Sequence, residues 1–210
     1  MRNPLAPDPQ GDLVDISVNT KEELDPKGDL ILTVGQRDLL VSSRVLSLAC
    51  PFFEKLLQCN AFSEGVNQPN REQPPVKQIN EEHADTLYLI CRILHYLPVE
   101  PPTSIEEFRL VADLCNFYGC SLALSVHVRA WLDACGLSDL SSSELQTLMW
   151  VTFVFHLRDR FQLVSLYLAR ALSPSEWKAW EVHPMPSELK GMPRPGLLTI
   201  PPGYTNHPCR

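Results

Sequence analysis

The chain has no apolar run long enough to span a bilayer. Its most apolar stretch, "LMWVTFVFHL" from Leu148 to Leu157, is half of the roughly 20 residues that a spanning helix needs and reads as a buried helix. Cations are also scarce: 18 Lys and Arg stand against 25 Asp and Glu, for a formal charge of -7, and they form no cluster. That balance argues against direct nucleic-acid binding, which depends on clustered basic residues. The nine glycines are too dispersed to build a phosphate-cradling loop or a dinucleotide fingerprint, so no cofactor is expected. No G-x-S-x-G elbow occurs, and no H-x-x-x-H or H-E-x-x-H spacing focuses two imidazoles on one ion. The opening "MRNPLAPDPQGDLVD" places prolines and acids where a secretory signal needs an unbroken apolar core. An intracellular protein is expected, with cytoplasm and nucleus both open.

Seven cysteines (Cys50, Cys59, Cys91, Cys115, Cys120, Cys135 and Cys209) form an odd, irregular set without a C-x-x-C pair. Cys115-x4-Cys120 lacks a second pair at zinc-ligand spacing, so no metal site is expected and the thiols read as reduced core residues.

Enough apolar material is present for a folded core, with 44% of residues hydrophobic. Four segments follow from pattern. Residues 1–27 read as an arm, with an edge strand in "DLVDISV" and a turn in "KEELDPKG". In residues 28–136, "DLILTVG" puts Leu30, Leu32 and Val34 on one face, "GQRD" supplies a turn and "LLVS" a short second strand, together a hairpin. Ser42 or Ser43 suits the cap of a helix whose apolar stripe is Val45, Leu46, Leu48 and Ala49, and Pro51 opens the next helix.

Residues 61–73 turn polar and read as a surface loop, after which "PPVKQIN" suggests a third strand with Val76 and Ile79 inward. A helix over 83–97 carries Leu87, Ile90, Cys91, Leu94 and Leu97 on one side. Ser104 and Glu107 have capping-box spacing before a helix that ends at Gly119, and Ser121 begins another with Leu124, Val128, Trp131, Leu132 and Cys135 as its core side. Residues 137–173 repeat the start signal at Ser141 and Glu144 and read as an antiparallel helical pair, with Phe161, Val164, Leu168 and Leu172 facing inward. The proline-rich residues 174–210 read as a poorly ordered tail, with Trp177 and Trp180 spaced to dock a last helical turn.

"GDLILTVGQRDLLVSSRVLSLACPFFEKLL" and "LVADLCNFYGCSLALSVHVRAWL" resemble the opening and the later helix pair of a BTB/POZ domain, across about residues 28 to 135. The pair from Ser141 to Leu172 resembles the helical continuation of short fungal BTB proteins. The resemblance implies an α+β fold, a small sheet capped by helices, and a non-enzymatic module that homodimerises through its first helix and N-terminal strand or recruits a protein partner. It also implies binding to a cullin-type ubiquitin-ligase scaffold. Members that do so commonly carry a hydrophobic residue, any residue and then Glu, where this chain has Val66, Asn67 and Gln68. A neutral Gln68 forgoes the charge-assisted hydrogen bond, roughly twice as strong as a neutral one. Asp29 and Arg44 stand where the family places opposite charges near its dimer-facing pocket, and with Phe62, Val66 and Gln68 they are the expected partner-binding residues. Two other readings stay open: an enzyme using Cys59 or Cys115 with a spatially close histidine, and a transcriptional co-regulator acting through a partner.

Overall fold

Leu30, Leu32 and Val34 alternate with less buried neighbours in strand β2 (Leu30–Val34), and all three lie in the core, as their spacing predicts. The computed structural model describes residues 19–58, 74–173 and 175. Within them the protein is α+β, with a mixed four-stranded sheet and seven helices.

The hairpin turn is tighter than "GQRD" suggested. Val34 pairs with Arg37, so β3 (Arg37–Val41) starts two residues earlier than expected and only Gly35 and Gln36 form the loop. Gly35 takes a φ of 58°, as the first central residue of a type II′ turn does, and glycine adopts that value without a side-chain clash. Strand β1 (Thr20–Glu23) runs parallel to β3 and falls inside what its sequence presented as arm and turn. "TKEE" has no apolar alternation because it forms one edge of the sheet with mostly exposed side chains. The turn proper begins at Asp25, whose carboxylate accepts the Lys27 N–H at 2.8 Å. The strand expected in "DLVDISV" lies outside the described residues.

β4 (Val76–Ile79) runs parallel to β2 at the opposite edge, giving the order β1-β3-β2-β4. Val76 faces solvent there and only Ile79 packs on the core, a reversal of half the expected pair. Across the hairpin, Thr33 Oγ1 donates to Asp38 Oδ1 at 2.7 Å and Asn19 Nδ2 adds a second bond at 3.0 Å. These bonds hold the Asp38 carboxyl below the usual carboxylate range. The stabilisation from Asp38 is therefore complete above its unfolded pKa of about 3.9 and is lost as pH falls through the lower folded value. Acid titration of the wild type against Asp38→Asn should show the wild type losing its advantage below about pH 4; parallel curves would rule the network out as a source of stability.

The helices are α1 (Ser43–Ala49), α2 (Pro51–Gln58), α3 (Ala84–Leu94), α4 (Ile105–Tyr118), α5 (Ser121–Ala134), α6 (Ser142–Val154) and α7 (Arg158–Ala171). Ser42 caps α1 and Ser104 caps α4, both through side-chain oxygens. Glu107 reaches Thr103 rather than completing a box with Ser104, whereas Ser141 and Glu144 form a full capping box on α6. Cys120, not Ser121, takes the N-cap position of α5 and offers no side-chain cap. In α1 only Leu46 is fully buried, and Leu48 points outward, because a seven-residue helix lying on the sheet has too few turns to bury a wide stripe.

α6 is apolar around most of its circumference, with Leu145, Leu148, Met149, Val151, Thr152 and Val154 buried, since it packs against both α4 and α7. Trp150 Nε1 donates to Asp113 of α4 at 2.7 Å, and Arg129 and Asp133 of α5 pair with Asp159 and Arg160 of α7. The core runs without a break from Leu24 to Leu172, so residues 137–173 share the interior of the preceding segment. Among the described residues no helix is long and apolar enough to cross a membrane.

Candidate functional site

Asp29 lies just before β2 and points at the start of α1. Its carboxylate accepts the Ser43 backbone N–H and the Ser43 Oγ–H, both at 2.7 Å. The free N–H groups of a helix start attract a carboxylate, so Asp29 acts as a tertiary cap. Beside it, the Ser42 N–H donates to His95 Nε2 at 3.1 Å, and His95 Nδ1 lies 2.8 Å from the Cys91 carbonyl. The tautomer with its proton on Nδ1 satisfies both contacts. Arg44 is exposed and makes no ion pair with Asp29. The opposite charges that the resemblance places near a dimer-facing pocket do not pair with each other, because the Asp29 carboxylate is taken up by Ser43.

Asp29→Ala removes two hydrogen bonds to an ionised group and should cost about 1–3 kcal/mol, while Arg44→Ala should change stability by less than about 0.5 kcal/mol. Urea denaturation of both variants checks this, and equal losses would contradict the cap assignment. Phe62, Val66 and Gln68 lie outside the described residues, as do Cys59, Cys209, Trp177 and Trp180.

Cys115 is fully buried, and among the described residues no hydrogen bond joins a cysteine sulfur to a histidine ring. Nor does any group of three or more His, Cys, Asp or Glu among them stand where it could hold a metal ion. A cleft of about 200 Å³ between α5, α6 and α7 is lined by Leu132, Cys135, Thr152, Arg160 and Tyr167, among others. Desolvation pushes the Cys135 thiol up, away from nucleophilic thiolate.

Several apolar side chains are exposed where α2, α4 and α5 come close in sequence or space. Phe52 of α2 lies 5.6 Å, centroid to centroid, from Phe117 in the last turn of α4, and both meet Tyr118 edge-on at 4.9 and 5.0 Å. Tyr118 itself stacks on buried Phe53 at 5.6 Å and donates to Glu81 at 2.8 Å. α4 ends at Gly119, whose φ of 75° turns the chain sharply and whose Cβ, if it had one, would lie 3.3 Å from Pro51. Two residues after Cys120, α5 presents Leu122 and then Val126 to solvent. Phe117, Leu122 and Val126 are 67%, 72% and 74% exposed. Ala123 and Ala130 continue the exposed side of α5, and no charged residue precedes Arg129 in that helix.

The ridge of exposed Phe117, Leu122 and Val126 with half-buried Phe52 was not among the expected site residues. Its signal was nonetheless present: α5 carries more apolar residues than its core stripe of Leu124, Val128 and Leu132 can use, and the surplus falls on the opposite side. Compared with known proteins, the chain matches no family model and no curated protein.

Proposed function

We propose that this chain is a protein-interaction module of BTB/POZ type that associates with a second copy of itself through the ridge formed by Phe52, Phe117, Leu122 and Val126. The observation that carries the reading is three large apolar side chains, each about two-thirds or more exposed, at one helix junction. Large exposed apolar side chains gathered on neighbouring elements are a mark of interaction sites. Charge favours a like copy: the chain carries a formal -7, yet the start of α5 bears no acidic side chain that would repel an identical partner. A two-fold contact places the same patch on both chains, so an apolar ridge is self-complementary. The mixed four-stranded sheet and seven helices of the described residues agree with the α+β class that the resemblance implied. The ridge lies on α2, α4 and α5, and so differs from the first-helix contact that the resemblance implied.

Light scattering over a dilution series of the full chain tests self-association. The mass should approach twice that of the monomer at high micromolar concentration and fall on dilution. Monomer at every concentration would overturn the proposal.

A further inference from the structure

α5 ends at Ala134, and the connection through Cys135 and Leu137 forms one side of the cleft of about 200 Å³ that α6 and α7 complete. Much of its lining is aliphatic, from Leu132, Leu137, Leu163 and Val164. Its walls are tied together, since Arg129 and Asp133 of α5 pair with Asp159 and Arg160 of α7, the last of these at the cleft itself. An apolar cavity of about 150 Å³ takes up benzene, so this volume suits one ring with a small substituent.

Two of the polar groups in the lining are satisfied within the protein. Thr152 Oγ1 donates to the Met149 carbonyl at 2.9 Å, and Arg160 Nη2 donates to Asp133 Oδ1 at 2.6 Å. The Arg160 Nε–H is different: it is buried and has no acceptor among the described residues. A buried donor left in that state is costly, and an acceptor brought by a guest recovers the loss.

We infer that this cleft binds a small uncharged molecule about one ring in size, whose carbonyl oxygen accepts the Arg160 Nε–H. The ring rests on the four aliphatic side chains, and the single polar contact sets its orientation. Arg160 is anchored at Nη2 and its side chain is 30% exposed, so the planar guanidinium can turn about that anchor and present Nε–H to the guest. Charge selects a neutral guest. Asp133 already balances the guanidinium, and burial followed by the charge of Glu144 pushes the Cys135 thiol up, which keeps the thiol neutral. The same Glu144 charge disfavours an anion, and Arg160 disfavours a cation. The cleft lies at the opposite end of α5 from Leu122 and Val126, and the inference does not rest on the ridge reading.

The test is a methyl NMR titration of the full chain with benzamide, toluene and benzoate, one-ring probes of similar size that differ in carbonyl and charge. Benzamide should shift the methyl signals of Leu132, Leu137, Leu163 and Val164 saturably, and bind at least about tenfold more tightly than either of the others. In Arg160→Met, which removes the donor from a long side chain, benzamide should fall to the level of toluene. Absence of a saturable shift at millimolar benzamide, or shifts confined to other surfaces, overturns the inference. So does toluene or benzoate binding as tightly as benzamide, or a preference for benzamide that survives in Arg160→Met. The ranking of the probes on the wild type decides by itself if the variant fails to fold.

Discussion

Phe53→Ala is expected to lower the unfolding free energy by about 3–5 kcal/mol, the usual range for deleting a buried aromatic ring and leaving its cavity. Phe53 is 1% exposed and belongs to α2, yet its ring stacks on Tyr118 of α4 at an interplanar angle of 4° and meets Phe52 edge-on at 5.5 Å. It therefore joins the short helices over the sheet to the long helices that follow. Because a domain of this kind is stable by only about 5–15 kcal/mol, the loss would be a large share of the total. Phe117→Ala, on the same cluster but two-thirds exposed, should change stability by less than about 1 kcal/mol. Urea denaturation of both variants checks the contrast. A Phe53→Ala chain within 1 kcal/mol of wild type would mean that the α2–α4 contact is not what holds these layers together.

The second large effect concerns association. Phe117→Asp combined with Val126→Asp should weaken self-association at least 100-fold, about 3 kcal/mol, while leaving the unfolding midpoint nearly unchanged. Both side chains are exposed, so the folded monomer tolerates a carboxylate at each. In a two-fold contact four new carboxylates would meet in an apolar interface, where an unpaired charge is costly. Sedimentation equilibrium measures the change. Undiminished association of the doubly substituted chain would move the interface elsewhere on the surface.

Much of the fold was legible because its signals are local. The alternation of Leu30, Leu32 and Val34 gave β2, the serines at 42, 104 and 141 gave three helix starts, and Gly119 gave the end of α4. The elements that escaped are those whose definition is not local. β1 is polar because it lies at an edge, and only its pairing with β3 makes it a strand. Leu48 and Val76 look like core residues in a list of apolar positions, but one ends a short helix and the other sits on an open edge strand.

The candidate site divides the same way. Asp29 was recognisable as important, but its partner was not, since helix geometry decides that its carboxylate meets Ser43 instead of Arg44. The ridge was readable only as an excess, because periodicity shows which side of α5 faces the core and says nothing of what covers the other side. Cys50, Cys91, Cys115 and Cys120 are buried, as their apolar surroundings suggested, two of them within helices and two at helix caps.

The most direct test of the central claim is photo-cross-linking of the full chain with a benzophenone side chain in place of Val126. Joining through the ridge predicts adducts between two chains that map to Phe117, Leu122 or Phe52 of the second copy. Adducts confined to other surfaces, or none between chains at concentrations where the wild type is saturating, would contradict it.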